Sequence, residues 1–252
     1  MIGFQEFAVG LDRVGIPLVW VTSRSRLQID EPRRKLGHVN PFIGENGSGT
    51  FLPEDYFHLR PAKTVRFGRF TCVPVAEVQP AAEQALEALS EETGVSVVTL
   101  RSLSPREAGQ NLGVPARDAE LARQRDFEEL FFFAGASEKG IARFQEAAGL
   151  RHCQLRQRAA VWSLAVKANL AQCVRDLSKL YDRALRYHAN VLGISTPGGS
   201  MELLRACDRG LVLRSARDAA GGQGGAETVK AREVAFEGPN AWEQVLSRVT
   251  GS

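Results

Sequence analysis

Two adjacent hydroxyls, Thr22 and Ser23, stand where the short apolar run 18–21 comes to an end. A β-branched run that stops at polar residues is how a buried parallel strand delivers side chains to the edge of its sheet. A second such place lies far downstream. The apolar run 189–194 breaks at Ser195-Thr196-Pro197-Gly198-Gly199-Ser200 and leads into a short helix over 201–207. A turn of this kind at a helix start can turn backbone N–H groups toward an anion without a metal, although an ordinary Gly/Pro loop is the favoured account of it. Cysteine and histidine offer less. Cys72, Cys153, Cys173 and Cys207 are scattered without a CxxC pair, as are His38, His58, His152 and His188. Only His152 and Cys153 are neighbours, and two further ligands at metal-site spacing are missing, so no metal ligands are nominated.

The elements that must position these groups follow from spacing. Ile2, Phe4, Phe7, Ala8, Leu11 and Val14 predict an amphipathic helix that passes through Gly15 into a strand at 18–21. Ser25 predicts the N-cap of a polar helix over 25–36, with Arg33, Arg34 and Lys35 in its last turn on a solvated face and Gly37 at its end. Pro41-Phe42-Ile43 enters a second strand that breaks at Gly44-Glu45-Asn46-Gly47, which completes a strand-helix-strand unit of an α/β sheet. A half-buried strand is expected at 64–67. From about 69 to 158 the pattern changes to a separate α+β unit: a helix at 80–92, a strand at 95–100, short helices from Ser104 and Pro115, the buried strand Leu130-Phe131-Phe132-Phe133, and a helix at 137–148. Ser104-Pro105-Arg106-Glu107 is a capping box. An apolar run at 160–166, a helix at 167–181, a strand at 211–213, a flexible loop at 221–225 and a last amphipathic helix complete the chain.

Composition narrows the partners. The 252 residues are 44% hydrophobic and 24% charged, with a net charge of only +3 from 32 basic and 29 acidic residues. The basic residues are dispersed, which argues against nucleic acid. No apolar run approaches the roughly 18 residues of a membrane helix, and the first residues lack the pattern of a signal peptide. A reduced, cytoplasmic protein is the expectation.

Several strings in order carry a resemblance: Gly15-Ile16-Pro17-Leu18-Val19 with Thr22-Ser23-Arg24-Ser25-Arg26, then Pro41-Phe42-Ile43 with Glu45-Asn46-Gly47 and Phe51-Leu52-Pro53. Arg123-Gln124-Arg125-Asp126-Phe127-Glu128-Glu129, the helix from Lys167, and Gly238-Pro239 before Trp242 extend it over nearly the whole chain. The chain resembles the mannosyl-3-phosphoglycerate phosphatases of the haloacid dehalogenase (HAD) superfamily. The resemblance implies a three-layer α/β/α Rossmann-like core over residues 1–67 and 159–252, with a type IIB α+β cap inserted over 68–158. It implies a phosphate monoester of a sugar and glycerate as substrate, attacked by an aspartate with Mg²⁺ as cofactor. In that scheme Thr22 holds the phosphoryl oxygens and Lys167 neutralises charge. Ser23, Arg24, Glu45, Asn46 and Gly47, with Arg123 or Arg125, face the sugar and the glycerate carboxylate.

The chain departs from that pattern twice. No Asp-x-Asp precedes Gly15, and Ile194 and the region of Ser200 replace the metal-binding aspartates. Mg²⁺ requires oxygen ligands that Ile194 lacks, so Mg²⁺ is not expected to bind here and catalysis is expected to be impaired. The alternative is a non-catalytic binding protein for a phosphorylated or carboxylated metabolite. The first strand of the family pattern lies between those at 18–21 and 189–193. Its absence predicts a rearranged sheet, a gap filled by the first helix, or pairing with another chain as a homo-oligomer.

Overall fold

The computed structural model describes residues 3–59, 61–215, 231–238 and 240–251. The glycine-rich run at 221–225 and Pro239 lie outside these described residues. Contacts divide the chain into two units, Met1–Trp20 with Asp55–Arg60 and Leu170–Ser252, and Val21–Glu54 with Pro61–Asn169.

α1 (Phe4–Arg13) forms where the apolar spacing predicts it, with Phe7 and Leu11 buried. Gly15, at a φ of 69°, turns the chain toward β1 (Trp20–Val21). α2 (Arg26–Lys35) begins at the expected cap. The Ser25 hydroxyl accepts the Gln28 N–H while the Gln28 side chain accepts the Ser25 N–H. One expectation for this helix fails. Arg33 is only 2% exposed, not on a solvated face. It donates to His38 Nδ1 at 3.0 Å and to the Asn40 carbonyl at 2.5 Å, and it stacks 4.4 Å over the Phe42 ring. Burial pulls its guanidinium down to about 10, and the pairing is tolerated because the planar group is hydrogen-bonded at its edge and stacked on its face.

β2 (Phe42–Gly44) and β3 (Gly49–Leu52) form a hairpin. β3 pairs antiparallel with β5 (Phe70–Pro74), and β5 pairs with β4 (Val65–Phe67), so the sheet runs β1-β2-β3-β5-β4. Phe42 and Phe51 stack at 4.7 Å in its core. The rest of this unit is α3 (Gln79–Thr93), β6 (Val97–Thr99), α4 (Pro105–Leu112), α5 (Ala116–Arg123), β7 (Glu129–Phe133), α6 (Glu138–Leu150), β8 (Cys153–Arg158) and β9 (Val161–Val166). A second sheet, β6-β7-β9-β8, is antiparallel throughout. Leu86 and Leu89 of α3 and Phe144 of α6 seal one face against Phe131, Trp162 and Leu164. The run Leu130-Phe131-Phe132-Phe133 is thus a core strand, as its composition implies.

In the other unit, α7 (Leu170–Leu185) precedes β10 (Leu192–Ser195), α8 (Met201–Ala206), β11 (Arg209–Arg214), β12 (Ala231–Ala235) and α9 (Ala241–Thr250). The three strands are parallel in the order β10-β11-β12. Phe7 and Leu11 of α1 and Val245 of α9 pack on Leu211, Leu213 and Val234, with Trp242 4.9 Å from the Phe7 ring. α8 lies against β10 and β11, and α7 against α8, so this unit is a layered α/β/α arrangement.

β1 and β10 belong to different sheets, so the strands expected to flank the missing one share no common sheet. The units also differ from the division expected at 67/68 and 158/159. β2 and β3 go with residues 61–169 because β3 is hydrogen-bonded along its length to β5, and a break at 158/159 would cut the β8–β9 hairpin, whose six residue pairs are continuous. The four cysteines are not joined in disulfides, and three of them are buried. No helix among the described residues is long and apolar enough to cross a membrane.

Candidate functional site

The hydroxyl pair after β1 is held by its neighbours. Thr22 donates its N–H to the Ile43 carbonyl at 3.0 Å and takes the Asn46 N–H on its own carbonyl at 3.1 Å, which continues the β1–β2 pairing. Its Oγ1 accepts the Arg24 N–H at 3.1 Å. The Arg24 carbonyl receives the Glu45 N–H, and the Arg24 side chain is exposed. Ser23 receives two guanidinium groups, Arg125 on its carbonyl at 2.9 Å and Arg158 on its hydroxyl at 3.3 Å.

Glu45 and Asn46 occupy the turn between β2 and β3 in left-handed conformations, with φ of 47° and 57°. The turn aims the Glu45 carboxylate inward, where it is fully buried. There it accepts three consecutive backbone N–H groups, from Asp126 at 2.9 Å, Phe127 at 3.0 Å and Glu128 at 2.9 Å. Burial pushes this carboxyl up to about 7. Arg125 and the backbone donors act in the opposite direction, while the nearby Glu128 adds to the rise. Glu128 is itself a hub. It accepts from Asn46 Nδ2 at 2.7 Å and Ser163 Oγ at 3.3 Å, and pairs with Arg125. The Arg125 and Glu128 side chains are 7% and 2% exposed. Arg26 holds Asp126 through two bonds of 3.0 and 3.2 Å.

The structure therefore brings together Thr22, Ser23, Arg24, Glu45, Asn46, Gly47 and Arg125 across roughly a hundred residues of sequence. Gly47, at a φ of 89°, receives the Asn169 N–H on its carbonyl at 3.2 Å. Two nominated residues sit elsewhere. Arg123 is engaged at the end of α5, with Glu120 at 2.7 Å and the Arg101 carbonyl at 2.9 Å. Lys167 is exposed and pairs with Glu77 at 2.6 Å, which raises its pKa, and no contact links it to Thr22. Arg26, Glu128, Arg158 and Ser163 were not nominated. The signal for Glu128 was an acid placed three residues after Arg125 and just before an apolar strand. Arg158 carried no signal, because its partner Ser23 lies 135 residues away.

Fully buried Glu45 and half-buried Asn46 meet the chain's own groups, so they brace the site. Ser23, Arg24 and Arg158 are the groups left to meet a solute. Hydroxyls flanked by guanidinium groups suit an oxyanion. A divalent cation is a different matter. At the end of β10 the Ile194 side chain packs into the apolar core, Ser195 Oγ turns toward the Thr196 carbonyl, and Ser200 caps α8. No group of three His, Cys, Asp or Glu that could hold a metal occurs among the described residues. This donor set does not fit Mg²⁺.

No family model matches the chain. A glucosyl-3-phosphoglycerate/mannosyl-3-phosphoglycerate phosphatase of Methanococcoides burtonii is 25% identical over 169 residues, 66% of this chain and 61% of the relative. That match thus spans less than two thirds of the relative's length. A protein of the same description from Persephonella marina is 24% identical over 211 residues, 81% of this chain and 76% of the relative. Among solved structures, a phosphatase of the haloalkanoate enzyme superfamily from Bacteroides thetaiotaomicron aligns with a TM-score of 0.60 at 12% identity, over 99% of this chain and 87% of the other. A subclass IIB sugar phosphatase of the HAD superfamily aligns at 0.57 and 13%, over 98% and 89%. The chain has the mixed α/β fold of the HAD superfamily, and in sequence it is similar to the mannosyl-3-phosphoglycerate phosphatases.

Proposed function

We propose that this chain is a phosphatase-like protein of HAD fold that binds a small phosphorylated glycerate or its glycosyl derivative, and that these 252 residues hydrolyse it slowly if at all. The observation that carries the reading is the convergence of Arg125 and Arg158 on Ser23, with Thr22 and Arg24 beside it. In this reading Thr22, Ser23, Arg24 and Arg158 hold the phosphoryl or carboxylate oxygens. Arg125 fixes the Ser23 backbone, and Glu45 and Asn46 fix the loop that carries Arg125. Lys167 is left out of the holding set because Glu77 already answers its charge. The likeness to glycosyl-3-phosphoglycerate phosphatases supports the ligand class. Slow turnover is supported by Ile194 at the end of β10, which gives the family's metal no oxygen. Action in the cytoplasm fits cysteines that are not joined in disulfides.

Calorimetric titration with 3-phosphoglycerate and glucosyl-3-phosphoglycerate tests the binding half. The expected result is saturable binding that the Ser23→Ala and Arg158→Gln variants each weaken about tenfold, as loss of one charge-assisted hydrogen bond does. Absence of binding by either compound overturns it. Phosphate release from the same compounds with and without Mg²⁺ tests the other half, and rapid Mg²⁺-dependent release overturns it. Binding without turnover is the behaviour of a sensor or carrier of the metabolite.

A further inference from the structure

A cavity of about 200 Å³ opens at the N-terminal edge of the parallel sheet, lined by Leu192, Arg209, Gly210, Leu211, Arg232 and Arg248. Its geometry follows from strand register. Leu192 is opposite Arg209, and Leu211 is opposite Arg232, so two leucines and two arginines alternate on neighbouring strands. Paired residues of adjacent strands project to the same face, and residues two apart on one strand share it. All four side chains therefore emerge on the face that carries Leu192 and Leu211 into the apolar core with α1 and α9. Arg248, in the last turn of α9, closes the third side.

Several arginines elsewhere are answered by acids. Arg26, Arg66, Arg101, Arg151 and Arg214 each pair with Asp or Glu. The three cavity arginines have no ion pair among the described residues. Of the carboxylates adjacent in sequence, Asp208 accepts the Val191 N–H at 2.7 Å and Glu233 pairs with Arg214 at 2.8 Å. A single unpaired arginine on a surface is ordinary, and one in a last helical turn complements the helix dipole. Three lining one small cavity concentrate positive charge of the kind that suits an anionic solute.

We propose that this cavity is a phosphoryl-binding site, which takes a small phosphorylated metabolite with its phosphate among Arg209, Arg232 and Arg248 and its carbon frame against Leu192 and Leu211. Guanidinium forks match phosphate oxygens in pairs, and a dianion answers three cations better than a single carboxylate does. The volume is below that of drug-sized pockets, which limits the ligand to a few carbons. This site shares no residue with the Ser23 cluster, and it stands or falls independently of the function proposed for that cluster.

The test is an amide-resolved NMR titration of the full chain with inorganic phosphate, pyrophosphate and 3-phosphoglycerate. Saturable shifts at Leu192, Gly210 and Leu211 are expected, weakened about tenfold by Arg232→Gln and abolished in the combined Arg209→Gln, Arg232→Gln, Arg248→Gln variant. Binding should also weaken with added salt, because the guanidinium groups are exposed. The substituted positions are on the surface, and an unchanged spectrum away from the cavity verifies that the variant is folded. The Ser23→Ala variant should retain these shifts, which separates this site from the other. Tighter binding of 3-phosphoglycerate than of phosphate assigns the leucines to the carbon frame, and equal binding assigns the site to the oxyanion alone. No shift at these amides with any of the three probes, or shifts of unchanged size in the triple variant, overturns the proposal.

Discussion

Glu45 is the residue on which the candidate site depends, because one carboxylate answers three successive N–H groups. Glu45→Gln keeps the shape but turns an amide N–H₂ toward those donors. A loss of about 2 kcal/mol is expected by urea denaturation, the cost of leaving buried donors unanswered. The pH dependence has a definite sign. Burial raises this carboxyl from its ordinary value to about 7, so its contribution is complete below about 4.5 and is lost as pH rises through 7. Wild type should therefore lose stability relative to Glu45→Gln between pH 5 and 8, and a flat difference would show that the carboxyl titrates normally. Glu128 offers a second measurement. Glu128→Ala leaves Arg125 buried without its counter-charge, for which a loss of about 3–5 kcal/mol is expected, whereas replacing both residues by leucine should cost less.

Among the elements, α2 displays most clearly what local sequence specifies. Ser25 and Gln28 satisfy each other's backbone donors, and the Ser25 hydroxyl also donates to the Leu121 carbonyl at 3.0 Å. Ser25→Ala should destabilise the protein by about 1 kcal/mol and speed hydrogen exchange in the first turn of α2. Boundaries set by caps, such as Ser25, Ser104 and Ser137, were legible because the capping residue and its target lie three positions apart. β8 and β12 were not. Cys153–Arg158 reads CQLRQR and Ala231–Ala235 reads AREVA, and neither alternates strongly enough to mark a strand. Both become strands by pairing with β9 and β11, which is a tertiary cause. Arg33 was misread for a related reason, since nothing nearby in sequence reveals that Phe42 and Phe70 will accept a guanidinium on their rings.

At the scale of the whole molecule, fold class was legible and sheet membership was not. Strand segments at 18–21, 42–44 and 211–213 could be located from composition, but which sheet each joins depends on partners far away in the chain. The candidate site was legible in part by the same logic. Thr22 to Arg24, Glu45 to Gly47 and Arg125 could be named, yet the carboxylate-to-backbone latch that unites them spans more than eighty positions. Each unit has its own aromatic core, around Phe7 and Trp242 in one and Phe131 and Phe144 in the other. Phe7→Ala and Phe131→Ala should each cost about 3–5 kcal/mol. Hydrogen-exchange protection should fall chiefly at β10–β12 for the first and at β6–β9 for the second.

The burial of the thiols bears on how this protein can be handled. Cys72, Cys153 and Cys173 are enclosed, and burial raises the Cys153 thiol and pushes that of Cys207 up to about 11, which keeps these two in the unreactive thiol form at neutral pH. A maleimide dye or a spin label should ignore the folded chain and modify all four positions only after denaturation. A single cysteine introduced at an exposed position such as Arg24 would then carry the label alone. The native sequence thus already provides a silent background for distance measurements by fluorescence or paramagnetic probes.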